Sequence, residues 1–194
     1  MTNNYILVPI SERNEFRTNL RFKFKGIEND VSCKIDTGAM KTLIPLKTAG
    51  YPDDFCKKHK KEAIQSKVKC GFARGIERAD TSHLSLEDNP SVVFKYKLSD
   101  LKLSNNFCDY SLLKNYDVSI SYDTTGNILI GMDILKDFQF LCDVSNVTGE
   151  LVFLGCLRDS INNDYLAAVE EHFGYVRAER ELARKLRDND YRYR

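Results

Sequence analysis

One stretch of this 194-residue chain constrains its fold more than any other, and it runs from Val31 to Pro45. Apolar and polar residues alternate over Val31–Ile35, which is typical of a half-buried strand, and a second apolar segment follows at Leu43–Pro45. The residues Asp36-Thr37-Gly38-Ala39 lie between the two segments. They predict a tight loop, because glycine adopts backbone conformations that other residues avoid. The stretch therefore predicts a strand–loop–strand unit that presents the carboxyl group of Asp36.

The same residues also suit an ordinary hairpin turn. Aspartate bonds to its own backbone in turns, and glycine accepts a positive φ. Asp36-Thr37-Gly38 alone does not decide between a turn and a functional loop, so the rest of the chain has to decide.

Composition narrows the classes of partner. The chain has 29 basic and 28 acidic residues, a net charge of +1, and 42% hydrophobic residues, enough for a core. This balance predicts neither a nucleic-acid partner nor a membrane partner. No signal segment precedes Tyr5 and no apolar run reaches membrane-spanning length, so we expect a cytoplasmic protein.

Cysteine and histidine spacing gives no sign of a metal or a cofactor. The six cysteines are scattered without a Cys-x-x-Cys pair, which favours reduced thiols in the core over disulfides. The three histidines lie far apart, with no zinc spacing. We therefore predict no metal and no cofactor.

The middle of the chain predicts one helix and several short strands. Asp53 or Asp54 is expected to cap a helix that ends near Ile64, with the lysines of 57–61 on its exposed face. A nucleic-acid patch is the alternative for those lysines, but a solvated helix face is far more common. Residues 65–88 then predict a long hairpin with a glycine-rich tip.

A second motif follows about a hundred residues after the first. A continuous apolar run, Ile128-Leu129-Ile130, enters Gly131. A short helix is predicted after it, with Ile134, Leu135 and Phe138 on its inner side. A closing hairpin is predicted over 140–154, and from 158 the pattern becomes charged and helical. We therefore predict a domain at 1–157 and a helical C-terminal extension at 158–194.

Together the two motifs resemble those of the retropepsin-like aspartic peptidases. The family motif is an apolar strand, Asp-Thr/Ser-Gly-Ala/Ser, two loose positions, a threonine and apolar residues, which Ile35 to Ile44 match position for position. The second motif, two apolar residues and a glycine, matches Leu129-Ile130-Gly131. The resemblance covers Tyr5 to Leu154. It implies an all-β fold, a closed acid-protease barrel with a short helix after the second motif.

The resemblance also implies an activity and a set of site residues. It implies an aspartic endopeptidase in which Asp36, Thr37 and Gly38 are catalytic. Hydrolysis by this route needs two carboxyl groups, and the chain has one Asp-Thr-Gly, so the resemblance implies a homodimer that acts on a peptide or protein substrate. A flap that closes over the substrate is implied as well. The implied substrate-binding residues are Ala39, Gly71, Phe72, Gly75 and Ile76.

Three alternatives stay open at this point. The chain can be a catalytically silent member of the same fold, a dimerisation or peptide-binding module. Asp123-Thr124-Thr125-Gly126 imitates the first motif with one extra threonine. As a second catalytic carboxylate, Asp123 would make the chain a miniature two-lobed enzyme, but a turn before the next strand explains the residues. The C-terminal extension can either stabilise the dimer or cover the cleft.

Overall fold

The computed structural model describes residues 5–73, 85–105, 109–112 and 114–174, and most of its regular structure is β-strand. The strands are β1 (Ile6–Pro9), β2 (Phe16–Phe24), β3 (Ile27–Ile35), β4 (Leu43–Pro45), β5 (Cys70–Phe72), β6 (Val92–Leu98), β7 (Lys102–Ser104), β8 (Asp109–Ser111), β9 (Tyr116–Ser121), β10 (Leu129–Ile130), β11 (Phe138–Val144) and β12 (Leu151–Leu157). The helices are α1 (Asp53–Gln65), α2 (Met132–Leu135) and α3 (Asn163–Phe173), with a 3₁₀ turn at Arg158–Ser160. The short helix predicted after Gly131 is present as α2, but it ends at Leu135, and Phe138, expected on its inner side, begins β11.

The described strands form two sheets. The smaller has the order β1-β12-β11, and the larger has the order β5-β6-β9-β4-β10-β3-β2-β7-β8. The sequence predicts a closed barrel, and none is found among these strands. Closure requires the two end strands to pair with each other, whereas β5 pairs with β6 and β8 pairs with β7. The predicted all-β class agrees with the structure, and the predicted closure does not.

The β2–β3 hairpin delivers the chain to Asp36. Its two strands pair in register from Phe16 opposite Ile35 to Phe24 opposite Ile27. The turn consists of Lys25 and Gly26, whose φ angles are 50° and 85°. Two residues of positive φ match the right-handed twist of a hairpin. The sequence predicts a longer turn, over residues 26–30. The observed turn has two residues, and β3 begins at Ile27.

Both sheets and the three described α-helices contribute to one core. Its largest fully buried side chains are those of Phe22, Phe94, Tyr122, Phe138 and Phe153. The rings of Phe94 and Tyr122 meet edge to face with centroids 5.4 Å apart, an arrangement that aromatic pairs prefer. Burial of this apolar surface supplies the main free energy that holds the sheets together.

The described cysteines are free thiols. Those at Cys33, Cys56 and Cys156 are buried, as predicted, whereas Cys70 and Cys142 are exposed. Burial raises the pKa of Cys33 to about 12, so this thiol, three residues before Asp36, stays protonated and unreactive.

Helix α1 differs from its prediction in two ways. Pro52 takes the cap position without a side-chain cap bond, and Asp53 is the first helical residue. Lys60 turns inward instead of joining the exposed lysines: its side chain is 7% exposed, its Nζ lies 2.6 Å from Asp123 Oδ2, and it donates to the carbonyl oxygen of Glu87 at 2.7 Å. A buried lysine needs such partners, which a lysine-rich stretch does not reveal. The exposed basic face is therefore smaller than predicted.

Helix α3 packs on the smaller sheet. Tyr165, Val169 and Phe173 are buried in the common core, and the Tyr165 hydroxyl donates to the carbonyl oxygen of Gln139 on β11 at 3.3 Å. The described part of the predicted C-terminal extension is thus helical and shares the core of the strands. The division into 1–157 and 158–194 stays a prediction. Within the described ranges, no helix combines the length and the apolar character needed to cross a membrane.

The cap of α3 gives a test of how tightly this helix is coupled to the sheets. Asn162 Oδ1 accepts the backbone N–H of Tyr165 at 3.1 Å. We expect Asn162→Ala to lower the free energy of unfolding by about 1 kcal/mol, because a helical N–H loses its acceptor. Urea denaturation should show one transition, shifted as a whole. The matched control Asn163→Ala, at an exposed position, should change stability by less than about 0.5 kcal/mol. A separate transition for α3 would contradict this coupling.

Candidate active site

Three strands hold the loop that carries Asp36. Strand β10 lies between β3, which precedes the loop, and β4, which follows it. It pairs in parallel with β3, with Ile130 opposite Ile35, and antiparallel with β4, with Leu129 opposite Leu43. The backbone N–H of Asp36 donates to the carbonyl oxygen of Ile130 at 3.0 Å. The second sequence motif therefore fixes the base of the first.

The carboxyl group of Asp36 is held by its own loop and faces solvent in part. Its Oδ1 accepts the backbone N–H of Gly38 at 2.9 Å, and its side chain is 26% exposed. A Cβ at position 38 would lie 3.2 Å from this oxygen, closer than most such contacts. Thr37 and Gly38 are both exposed. Glycine therefore leaves room for the carboxylate, and the tip of the loop is accessible to another chain.

Positive charge lies beside this carboxylate. Lys34 Nζ is 3.7 Å from Asp36 Oδ2 and 3.5 Å from Glu15 Oε1. Glu15 also pairs with Arg17, whose hydrogen bond holds the pKa of Glu15 below its ordinary value. Glu15 thus stays ionised and shares the charge of Lys34 with Asp36.

Gly131 allows the closest backbone contact in the site. A Cβ at this position would lie 2.5 Å from the carbonyl carbon of Lys41 and 2.8 Å from the carbonyl oxygen of Ala39. The next residue, Met132, donates its N–H to that Ala39 oxygen at 2.7 Å. Because the neighbours are backbone atoms, they cannot move aside as a flexible side chain can. Only glycine fits here without displacing the Asp36 loop.

A buried polar network joins the loop to α2. Asp133 Oδ1 accepts hydrogen bonds from the backbone N–H and the hydroxyl of Thr42, both at 2.8 Å. The Thr42 hydroxyl oxygen in turn accepts the N–H of Gly131 at 3.1 Å. Thr42 is fully buried, so each of these groups needs a partner inside the protein. The threonine of the first motif thus bonds directly to residues of the second.

The Asp36 loop forms one wall of a cleft of about 640 Å³. Strand β5 and the following Ala73 form another part of its lining, and much of the lining is apolar. Phe72 on β5 is 60% exposed, and Met40 in the loop is 75% exposed. Large apolar side chains at this exposure are available to contact a bound molecule. The cleft is lined by Asp36, Gly38, Ala39, Met40, Lys41, Leu43, Gly71, Phe72, Ala73, Val93, Lys95, Ser119 and Leu129.

The structure places most of the predicted site residues around this cleft. Asp36 and Gly38 of the predicted catalytic set line it, whereas Thr37 is exposed outside the lining. The predicted substrate-binding residues Ala39, Gly71 and Phe72 also line it. Gly75 and Ile76 lie outside the described residues. The catalytic and substrate-binding roles of all eight residues stay predictions.

Several lining residues were not predicted as site residues. Lys41 occupies a loose position of the first motif, where the residue type gives no signal. Lys95 and Ser119 lie opposite each other on β6 and β9. Period-2 alternation along each strand shows that Lys95 points away from the core, but the cross-strand register that brings it to Ser119 is not local information. Strand β5 pairs with β6. The sequence predicts a hairpin over 65–88, and residues 74–84 of it lie outside the described residues.

The imitation of the motif at Asp123 lies apart from this cleft. Asp123 is not among the lining residues, and its carboxylate forms the ion pair with Lys60. In addition, the N–H of Gly126 donates to the hydroxyl of Thr48 at 3.1 Å. Asp123 therefore supports the position of α1, as a structural residue before β10. In the described part of the chain, no group of three or more histidine, cysteine or acidic residues is arranged to hold a metal ion.

Comparison with known proteins gives similarity in structure and none in sequence. No protein-family profile matches the chain, and no curated protein matches it in sequence. Among solved structures, the chain is similar to a retropepsin-like aspartic protease from Rickettsia conorii, with 16% sequence identity and a TM-score of 0.43. The similarity covers 77% of this chain and 89% of that one.

The contact at Gly131 predicts a large effect from one added carbon. We expect Gly131→Ala to lower the free energy of unfolding by about 3 kcal/mol or more, because its Cβ would overlap the backbone of the Asp36 loop. Urea denaturation measures this change. The matched control is Gly126→Ala, where an added Cβ has no atom within 4 Å, and we expect a change of less than about 0.5 kcal/mol. Equal stabilities of the two variants would contradict the tight contact.

Proposed function

We propose that this protein is a dimeric aspartic endopeptidase. In this proposal it hydrolyses peptide bonds through a water molecule activated by two Asp36 carboxyl groups, one from each subunit of a homodimer. The supporting geometry is a carboxylate at the mouth of a strand–loop–strand unit, held by its own backbone and placed beside an apolar cleft. Clefts of this size with a few polar groups suit binding of extended ligands.

One observation carries the dimeric part of the proposal. Among the described residues that line the cleft, Asp36 is the only one with a carboxyl group. The proposed chemistry needs two such groups. Asp123, the rival within the chain, is held by Lys60 away from the cleft. A second copy of the chain is therefore the source of the second carboxyl group.

The two carboxyl groups would share one proton and exchange roles during the reaction. One Asp36 takes a proton from water as the water oxygen attacks the carbonyl carbon of the peptide. The other gives its proton to the carbonyl oxygen. Collapse of the tetrahedral intermediate then breaks the C–N bond. The first Asp36 gives the proton taken from water to the leaving nitrogen, and the second takes back a hydroxyl proton of the intermediate. Their titrations would be coupled, because like charges at such short range oppose each other.

Thr37 and Gly38 take supporting roles in the proposal. Both are exposed at the tip of the loop, so the symmetry axis of the dimer can pass beside them. The Thr37 hydroxyl would bond to the loop of the partner subunit and brace the two aspartates. Gly38 would allow the two backbones to approach closely.

Strand β5 is proposed to hold the substrate backbone. Among the described strands it is an end strand of the larger sheet, and Gly71 and Phe72 line the cleft. An end strand has unpaired backbone groups, which an extended peptide can bind as an additional strand. Ala39 would contact the substrate from the opposite wall. Substrate binding by Gly75 and Ile76, which lie outside the described residues, stays a prediction from the sequence. A cytoplasmic location belongs to the proposal and is supported by the free thiols of Cys33, Cys56 and Cys156.

Loss of the proposed catalytic carboxylate gives the direct test. We expect Asp36→Asn to reduce cleavage of a diverse peptide pool by about a thousandfold or more, because the amide can neither accept the water proton nor act as an acid. Mass spectrometry of the products measures the change. Asp54→Asn, an exposed change of the same type on α1, should leave cleavage intact. Equal cleavage by wild type and Asp36→Asn would show that Asp36 is not the catalytic group, and no cleavage by either protein would leave a silent module.

A mixing experiment tests the shared site. Increasing amounts of the Asp36→Asn protein are equilibrated with a fixed amount of wild type. Because each site would need a carboxylate from both subunits, we expect cleavage to fall to about half when the two proteins are equal in amount and exchange freely. Unchanged cleavage would show that each chain works alone. Light scattering on the same mixtures measures whether dimers are present.

A further inference from the structure

A second concave surface adjoins the cleft and carries a strong positive charge. We call it the basic depression; it has a volume of about 360 Å³ and is lined by Lys41, Lys69, Lys95, Lys97, Asp117 and Ser119. Lys41, Lys95 and Ser119 also line the cleft, so the two surfaces are continuous. A ligand that extends along the cleft past Lys41 therefore reaches the depression.

Strand register gathers these lysines from separate parts of the chain. Lys95 and Lys97 alternate with inward residues of β6 and lie opposite Ser119 and Asp117 of β9. Lys69 joins them because its carbonyl oxygen accepts the N–H of Lys95 at 2.8 Å. Lys41 comes from the Asp36 loop itself. The depression is thus built on sheet backbone and is fixed relative to the proposed catalytic group.

The charge in the depression is not neutralised by the described part of the chain. Four lysines stand against one aspartate, and none of the four ammonium groups lies within 4.0 Å of a described carboxylate oxygen. By contrast, Lys34, Lys47 and Lys60 each have such a partner. The whole chain is close to neutral, so this excess is local. A concave cluster of like charges raises the local concentration of anions.

We propose that the basic depression is a specificity subsite for an acidic side chain of the peptide substrate. The inference rests on the proposed function and adds a substrate class to it: peptides with glutamate or aspartate within a few residues of the scissile bond. Side chains of an extended peptide point alternately to opposite sides. One that turns toward Lys95 and Lys97 would place its carboxylate among the ammonium groups, while its neighbours contact the apolar cleft.

An acidic peptide fits these surfaces better than a nucleic acid does. The described lining of the depression contains no aromatic side chain and no arginine. Proteins that bind single strands stack bases on aromatic rings, and arginine is the preferred partner of phosphate. The adjoining cleft carries apolar side chains such as Leu43, Val93 and Leu129, which suit peptide side chains. The test must therefore distinguish binding of an acidic peptide from binding of a nucleic acid.

Paired peptides test the subsite through cleavage. Each pair is identical except for glutamate or glutamine at one position, and the position is moved along both sides of the scissile bond. For wild type we expect kcat/KM about fivefold higher with glutamate at one position, and a smaller preference as salt rises from about 0.05 M to about 0.5 M. Lys95→Gln/Lys97→Gln should reduce the preference to near unity. The matched control Lys58→Gln/Lys61→Gln, on the exposed face of α1, should keep it.

A binding arm separates this inference from the proposed function. The Asp36→Asn protein, with and without the Lys95→Gln/Lys97→Gln changes, is titrated against the same peptides carrying a fluorescent label. Tighter binding of the glutamate peptide, lost with the lysine changes, supports the subsite even if wild type cleaves no peptide. Cleavage without any glutamate preference, or a preference that survives the lysine changes, overturns the subsite and leaves the peptidase standing. A single-stranded oligonucleotide that binds more tightly than the peptide, through the same lysines, also overturns it.

Discussion

The site depends on a contact between two stretches of backbone. At Gly131 the chain passes so close to the carbonyl groups of Ala39 and Lys41 that no side-chain carbon fits between them. The contact lets β10 insert between β3 and β4, and it lets Met132 and Thr42 complete their hydrogen bonds. Backbone atoms in paired strands are displaced less easily than side-chain atoms are. A carboxylate that must meet a second group at short range benefits from such a rigid support.

Two surfaces beside Asp36, the apolar cleft and the basic depression, have different proposed roles in substrate binding. The apolar cleft offers area for a peptide but little selectivity, since most peptides contain apolar residues. The basic depression offers charge, which discriminates between side chains and acts over a longer distance. Because Lys41 belongs to both surfaces, the loop that carries the carboxylate also forms the boundary between them. Reaction and selection would therefore be fixed to the same piece of backbone.

Local sequence patterns predict the elements that depend on neighbouring residues. Alternation in β3, the tight Asp36 loop, the apolar run into Gly131 and the short helix after it all follow from neighbouring residues. Pairing between distant segments was not encoded in that way. The inward turn of Lys60 depends on Asp123, and the basic depression depends on how β6 meets β9. The described strands β5 and β8 end the larger sheet without pairing with each other, and no motif specifies which strands pair.

Asp36 is the one acidic residue in the described lining of the cleft, and the proposed need for a second copy has a consequence for regulation. An enzyme assembled from two incomplete halves loses its active form on dilution, because the fraction of paired chains falls as their total concentration falls. Below the dissociation constant of the dimer, activity would vary roughly with the square of abundance. Small changes in synthesis or degradation would then switch proteolysis on or off without an inhibitor. Because the proposed reaction needs Asp36 from two copies, activity would depend in this way on how much of the protein a cell contains.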